Sequence, residues 1–336
     1  MIIFEKIHTV PTSEELINKA FKRAAKAMSV KNTENKYDRL RANEAMILTA
    51  ANIFTDNLAN IVRWFPSFDQ LPKFYYKLTD ILVGIEQLKM SLASLDWASK
   101  KIHEVARFYV VKMRDSDIPE PVRKEALGRV ASIIKSINKD LLFLNEARNI
   151  LRKLPDVRDE PTIVIAGYPN VGKSSFVAKI TGARPKIAPY PFTTKGVGIG
   201  HFSWEGVRYQ VMDTPGLLDR PMSERNNIEQ QAITAIQFLD AVVMFMIDPS
   251  ESCGYVIEDQ KNLLAEIQKN FNLPFLVVAN KVDKPEFRKI DGVALNISTI
   301  TGYGIKGVLD RLLKMIEEKR LSSPSEELEE SPESDF

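Results

Sequence analysis

A glycine-rich segment near the middle of the chain has the residue types that bind phosphate. It reads Gly167-Tyr168-Pro169-Asn170-Val171-Gly172-Lys173-Ser174. This G-x-x-x-x-G-K-S pattern, set between an apolar strand and a helix, lets backbone N–H groups and the positive end of the helix dipole face an anion. Lys173 can reach the β- and γ-phosphates of a nucleotide, and the Ser174 hydroxyl can bind Mg²⁺. We predict that phosphate contacts come from Gly167, Asn170, Val171, Gly172, Lys173, Ser174 and Ser175, with Lys173 also catalytic.

A second segment carries the chemistry that distinguishes guanine from adenine. Asn280-Lys281-Val282-Asp283 follows an apolar stretch. The Asp283 carboxylate can accept hydrogen bonds from both N1–H and the 2-amino group of guanine, whereas adenine has no donors there and would leave the charge unpaired. The Lys281 stem can cover the base, and Asn280 can tie this loop to the phosphate loop. A less specific segment offers backbone amides to the guanine O6 from Ser298, Thr299 and Ile300.

Two further segments have the composition of nucleotide-sensing loops. Asp213-Thr214-Pro215-Gly216 follows another apolar stretch. We predict that Asp213 holds Mg²⁺ through water and that Gly216 is catalytic, its amide contacting the γ-phosphate. Between this segment and the phosphate loop, Thr194 is favoured over Thr193 as a catalytic and metal-binding hydroxyl. A purely structural threonine pair remains the alternative.

The elements that position these residues form a predicted α/β domain over residues 158–320. Short apolar runs alternate with helical stretches, which is typical of a sheet with helices on both faces. The predicted strands form a mixed, mostly parallel six-stranded sheet, and they are 162–166, 196–204, 208–213, 241–247, 274–279 and 292–297. Trp204-Glu205-Gly206 is a predicted hairpin turn. The ligand-binding segments follow strand ends, where open α/β sheets bind ligands.

The region before this domain, residues 1–157, is predicted to be all α-helical. Thr12 and Glu15 have the spacing of a capping box. Three apolar stripes with helical spacing span residues 40–61, 85–113 and 122–154, and each needs a partner to bury its apolar face. We therefore predict an antiparallel bundle of about three long helices with shorter ones, the third long helix ending at Pro155.

Composition limits the class of protein and its compartment. The chain has 336 residues, 44% hydrophobic and 27% charged, with a formal charge of +2, as expected of a globular protein. Cys253 is the only cysteine, so an intrachain disulfide is impossible. No secretory signal or apolar run of membrane-spanning length is evident. We expect a cytoplasmic protein without membrane or disulfide partners. The acidic segment 321–336 is expected to be a disordered tail.

The motifs together resemble those of the Obg-like GTPases. Tyr190-Pro191-Phe192-Thr193-Thr194 and the phosphate loop carry the broad resemblance. The stretches Asp213 to Asp219, Glu224 to Glu229 and Gln231 to Ala235 are similar to the narrower nucleolar GTP-binding (Nog) family, as are Val10-Pro11-Thr12 and Ala126-Leu127-Gly128-Arg129 in the helical region. Eukaryotic members of the family carry a long C-terminal extension, so the chain resembles a short, archaeal-type member.

The resemblance implies a GTPase that assists assembly of the large ribosomal subunit. Its partners would be GTP and GDP, large-subunit ribosomal RNA or pre-ribosomal proteins, with Mg²⁺ as cofactor. Many GTPases have glutamine directly after the D-x-x-G glycine, but this chain has Leu217, so we expect slow turnover that a partner raises; simple packing of Leu217 is compatible with this. Asn170 resembles a K⁺ ligand in certain GTPases, although it could equally brace the loop.

Three other functions remain open. A scaffold that binds GTP without hydrolysing it is compatible with Leu217. A membrane-associated GTPase would use the helices on lipid. An ATP-using enzyme fits least well, because Asp283 suits guanine. The mildly basic balance of residues 1–157 favours an RNA-facing surface only together with the family resemblance.

Overall fold

The structure, a computed structural model, describes residues 3–29, 35–182, 186–191 and 196–322. The chain divides into two compact units between Leu154 and Pro155. Thr193 and Thr194 lie outside the described residues, as do residues 323–336 of the predicted tail. The two residues before them, Leu321 and Ser322, form the end of the last helix rather than part of a tail.

The first unit is helical, as predicted. Its helices are α1 (Ser13–Ser29), α2 (Lys36–Trp64), α3 (Lys73–Leu82), α4 (Ile85–Arg114), α5 (Pro119–Ser136) and α6 (Asn138–Leu151). The capping box of α1 is present, since the Thr12 amide donates to Glu15 Oε2 (2.8 Å) and the Glu15 amide donates to Thr12 Oγ1 (3.3 Å). α2 packs against α1, α4 and α5. Its apolar stripe is buried at Ile47, Ala51, Phe54, Leu58 and Ile61.

The prediction of a third long helix over residues 122–154 is wrong in one respect. The structure has two helices there, α5 and α6, separated at Ile137. The Ser136 hydroxyl donates to the Ile133 carbonyl, and Asn138 Oδ1 accepts the amide of Ser13 at the start of α1 (3.1 Å). The Ser136 hydroxyl thus competes locally for a helix carbonyl, and the Asn138 contact ties the start of α6 to the start of α1. The apolar stripe continues through the break, with Ile134, Ile137 and Leu141 all buried, so periodicity alone gives no sign of it.

One segment, Lys36–Gln70, is long and apolar enough by length and composition to cross a membrane. Most of this segment is α2, whose apolar stripe is buried in the bundle. The core helix of a bundle meets the same criteria, so the segment is weak evidence for a membrane span.

The second unit is a mixed, mostly parallel sheet with helices, as predicted. Its strands are β1 (Thr162–Ala166), β2 (Lys186–Ala188), β3 (Val197–Trp204), β4 (Val207–Asp213), β5 (Ala241–Ile247), β6 (Phe275–Ala279) and β7 (Leu295–Asn296). Its helices are α7 (Lys173–Thr181), α8 (Asn227–Thr234), α9 (Ile257–Asn270) and α10 (Ile305–Ser322). The strand order is β2-β3-β4-β1-β5-β6-β7. β1 pairs in parallel with β4 and β5, and every residue of β1 and β5 is buried.

The sheet has seven strands where the sequence predicts six. The additional strand, β2, is a three-residue edge strand paired antiparallel with β3, and Ile187 at its centre is 73% exposed. A strand this short, without a buried face, leaves no alternating pattern in the sequence. β7 is also shorter than predicted. The β3–β4 hairpin turn is confirmed, with positive φ at Glu205 (47°) and Gly206 (81°), as a two-residue hairpin loop of this kind requires.

Candidate nucleotide site

The phosphate loop connects β1 to α7 and borders a cavity. The cavity has a volume of about 440 Å³ and is lined by Pro169, Asn170, Gly172, Lys173, Ser174, Ser175, Pro215 and Asp219. Gly167 and Gly172 have φ values of 131° and 112°, which disfavour any residue with a Cβ. Gly172 directly precedes α7, so the N-terminus of that helix faces the cavity. The loop therefore has the geometry of an anion site.

Lys173 is the first residue of α7; its side chain extends back into the phosphate loop, and the residue is only 6% exposed. Its Nζ donates to the carbonyl oxygens of Gly167 (2.6 Å) and Tyr168 (2.8 Å). The ammonium is thus held against the loop by backbone acceptors while its side chain lines the cavity. A phosphate entering the cavity would meet a fixed positive charge.

Ser174 lines the cavity, and Asp213 lies buried directly behind it. The Ser174 hydroxyl donates to Asp213 Oδ2 (2.5 Å), and Asp213 is 3% exposed. Asp213 Oδ1 is buried and has no hydrogen-bond partner among the described residues. Burial raises the pKa of this carboxyl, and the hydrogen bond from Ser174 offsets part of the increase. A hydroxyl beside a buried carboxylate with an unused oxygen is a donor set that suits Mg²⁺.

The segment after β4, Thr214-Pro215-Gly216, is fixed by hydrogen bonds to β1 and to Asp219. The Thr214 hydroxyl donates to the Ile165 carbonyl of β1 (2.6 Å). The Gly216 amide, predicted to contact the γ-phosphate, donates to Asp219 Oδ2 (2.6 Å). Leu217 is 1% exposed and packs in the core, so the side chain after the glycine cannot orient water at the cavity.

Arg225 is a functional candidate that the sequence prediction missed. Its guanidinium donates to the carbonyls of Gly216 (3.2 Å) and Leu217 (2.8 Å), and it is 6% exposed. Burial lowers the pKa of this group. A basic residue nine positions from its acceptor leaves no recognisable spacing in the sequence.

The structure describes residues up to 191, which lead into the loop of Thr193 and Thr194, but not the two threonines themselves. Tyr190 is buried, and its hydroxyl donates to the Ala232 carbonyl of α8 (2.8 Å). Thr194 lies outside the described residues, so its role stays a prediction from the sequence.

The base-binding loop is joined to the phosphate loop by Asn280, as the sequence predicts. Asn280 Nδ2 donates to the Val171 carbonyl (2.8 Å) and to Thr299 Oγ1 (3.0 Å), and Asn280 Oδ1 accepts the Thr299 amide (3.0 Å). The side chain is 1% exposed. One buried amide group therefore links the phosphate loop, the base-binding loop and the loop after β7.

Asp283 projects from this loop as an exposed residue, with no hydrogen bond to its side chain within the described part of the chain. Of the three amides predicted to face the guanine O6, two are engaged: the Ser298 amide donates to the Tyr303 carbonyl and the Thr299 amide to Asn280. Only Ile300, which is 70% exposed, keeps an amide without an acceptor among the described residues. In this structure the Ile300 amide is therefore the one of the three that is open to the guanine O6, and the contact of these amides with the base stays a prediction.

Asp248, at the end of β5, was also missed. It is fully buried and accepts hydrogen bonds from Lys281 Nζ (2.7 Å) and the Cys253 amide (2.8 Å). Burial alone would raise the pKa of this carboxyl, but the hydrogen bonds from Lys281 and Ser250 hold it below its ordinary value. The ion pair with Asp248 therefore fixes the side chain of Lys281, which is itself part of the base-binding loop. A carboxylate directly after a fully apolar strand is a signal that the sequence did offer.

Gly172 allows a test of the link between the two loops. A Cβ at this position would lie 2.1 Å from Asn280 Nδ2, whereas a Cβ at Gly182, which also has positive φ, meets nothing within 4 Å. Both Gly172→Ala and Gly182→Ala carry a left-handed backbone cost of about 1–2 kcal/mol. We expect only Gly172→Ala to weaken GDP binding, by about tenfold or more.

Calorimetric titration of both variants, with thermal unfolding measured in parallel, separates the two effects. Equal losses of GDP affinity in the two variants would show that backbone strain, and not the contact with Asn280, limits this position.

Comparison with known proteins adds to this geometry. The profile of the NOG1 N-terminal helical domain matches residues 4–158, and that of the 50S ribosome-binding GTPase matches residues 162–281. The chain is 42% identical to an uncharacterised protein of Methanocaldococcus jannaschii over 83% of its own length and 81% of that protein. It is 35% identical to nucleolar GTP-binding protein 1 of Caenorhabditis elegans over 93% of its length, but it spans only 49% of that relative.

A solved structure is also similar. The crystal structure of a nucleolar GTP-binding protein 1 from Plasmodium falciparum is 33% identical, with a TM-score of 0.45, covering 50% of this chain and 92% of that one. The chain thus spans most of the Methanocaldococcus jannaschii relative but only about half the length of the Caenorhabditis elegans relative.

Proposed function

Because the chain belongs to the nucleolar GTP-binding (Nog) family of Obg-like GTPases, we propose that it binds GTP and GDP with Mg²⁺ and hydrolyses GTP slowly as a molecular switch. The observation that carries the proposal is the Asn280 side chain, which joins the loop of Asp283 to the phosphate loop. One ligand with a guanine and a phosphate chain can therefore contact both loops.

Two groups of residues would bind the nucleotide, one at its phosphates and the other at its base. At the phosphates, loop amides and Lys173 neutralise negative charge. Ser174 and, through water, Asp213 would hold Mg²⁺, which when bound supplies further charge neutralisation at the phosphates. At the base, Asp283 would accept from N1–H and the 2-amino group, and the Ile300 amide would donate to O6. Thr194 would add a hydroxyl on the γ-phosphate side.

Hydrolysis in the isolated protein should be slow, because catalysis depends on positioning the attacking water and Leu217 is buried without a hydrogen-bonding group. Single-turnover phosphate release from GTP tests this. We expect measurable release that is complete but slow. No release at all, despite GTP binding, would favour the scaffold alternative; a rate like that of a partner-activated enzyme, about 5–20 s⁻¹, would contradict the slow switch.

Potassium dependence is a separate proposal that rests on Asn170. This residue is exposed, lines the phosphate cavity and has φ of 62°. Asparagine tolerates that backbone conformation, which is the structural alternative. If the side-chain oxygen binds K⁺ beside the phosphates, turnover in KCl should exceed turnover in NaCl, and Asn170→Gly should remove the difference while keeping the backbone shape. Equal rates in the two salts would eliminate the cation role.

We further propose that residues 158–320 form the nucleotide switch and residues 1–157 a docking unit for a cytoplasmic precursor of the large ribosomal subunit. The support is the family: relatives such as that of Caenorhabditis elegans are named nucleolar GTP-binding protein 1, and one matching profile is named for 50S ribosome binding. Cross-linking in cells with sequencing of bound RNA tests this. We expect enrichment of large-subunit RNA in the cross-linked fraction, and we expect binding of that RNA to the purified protein to weaken steeply as salt is raised. Liposome co-sedimentation without RNA enrichment would support the membrane alternative instead.

A further inference from the structure

The Gly216 amide is occupied by a carboxylate of the same chain. Gly216 N donates to Asp219 Oδ2 at 2.6 Å, and Asp219 itself lines the phosphate cavity. This amide is the group that the proposed switch needs for the γ-phosphate. A backbone N–H has one hydrogen to donate, so it cannot fully serve both anions.

The same residue is held at its carbonyl by Arg225. The guanidinium donates to the Gly216 and Leu217 carbonyls and is buried. Together, Asp219 and Arg225 provide partners from the same chain for both the N–H and the carbonyl of Gly216. The loop therefore has a stable arrangement that does not require a γ-phosphate.

The negative charge of Asp219 adds electrostatic repulsion to its competition with a γ-phosphate for the Gly216 amide. Asp219 is close enough to the proposed metal-binding carboxylate of Asp213 to act on it electrostatically. A γ-phosphate placed in the same cavity would be repelled by Asp219 in the same way. GDP has no γ-phosphate, so it would leave the hydrogen bond between the Gly216 amide and Asp219 intact.

We propose that Asp219 is a specificity-determining residue that substitutes for the γ-phosphate at Gly216 and thereby favours GDP over GTP. GTP must displace the carboxylate from the amide, so part of its binding free energy is used to change the loop. This inference rests on the proposed function, because it concerns how the same site distinguishes its two nucleotides.

The test is calorimetric titration of GDP and the non-hydrolysable analogue GMPPNP, each with Mg²⁺, into the full chain. Asp219→Ala removes the competing acceptor, and we expect the affinity for GMPPNP relative to GDP to rise about tenfold or more, the scale of a hydrogen bond to a charged group. Asp219→Asn keeps an acceptor but removes the charge, so we expect a smaller rise. Glu224→Ala removes an exposed carboxylate of the same segment and should leave the ratio unchanged.

The outcomes separate this inference from the proposed function. If both Asp219 variants bind GDP normally and neither raises the relative affinity for GMPPNP, Asp219 does not compete with the γ-phosphate. If the wild-type protein binds neither nucleotide, the proposed function fails first.

Discussion

Replacing Lys173 with alanine should lower GTP turnover by about 10²–10³-fold, the loss seen when one preorganised group that stabilises the transition state is removed. The Lys173 ammonium is buried at the phosphate cavity and is held by the Gly167 and Tyr168 carbonyls. No other cation lines that cavity among the described residues. Single-turnover phosphate release and GDP titration measure the effect on chemistry and on binding.

Lys179→Ala is the matched control, because Lys179 lies on the same helix, α7, and is exposed. It removes the same charge from the protein without touching the cavity, so turnover should be unchanged. A Lys173→Ala protein that folds, as judged by its thermal unfolding, and still hydrolyses GTP at the wild-type rate would contradict the role given to this residue.

Replacing Asp283 with asparagine should reduce guanine nucleotide affinity by about 10⁴-fold and move the preference toward xanthine nucleotides. In the proposed site the carboxylate would accept hydrogen bonds from two donors of guanine, and an asparagine amide would leave the 2-amino group facing another donor. Xanthine has an oxygen at that position, which accepts from the asparagine NH₂ group. Titration of GDP and XDP into the variant measures both changes.

Asp291→Asn makes the same chemical change at another exposed position of the α/β unit and should keep wild-type affinity for GDP. The base assignment fails if Asp283→Asn binds GDP as tightly as wild type does, or if XDP gains nothing.

The sequence identifies candidate site residues where they lie within one short motif at a strand end, and their roles in binding stay predictions. Lys173 and Asp283 belong to such segments, and the order of the segments along the chain predicts a mostly parallel α/β fold that the structure confirms. The capping box at Thr12 and the hairpin turn at Glu205 are also local signals, and both were predicted correctly.

The features that were missed depend on contacts between distant residues or on elements too short for a pattern. Lys281 and Asp248 meet only because β5 and β6 are neighbours in the sheet. Arg225 reaches Gly216 through a turn whose shape no spacing predicts. The break at Ile137 is hidden because apolar periodicity continues across it. Burial and hydrogen bonding in three dimensions decide these cases.

The central claim is that one site holds the phosphates at Lys173 and the base at Asp283, and calorimetric titration of GDP with Mg²⁺ into the folded chain tests it most directly. We predict a saturable isotherm with one site per chain, and its loss when ADP replaces GDP. Folded protein that gives no binding with GDP, or that binds ADP equally well, would contradict the claim.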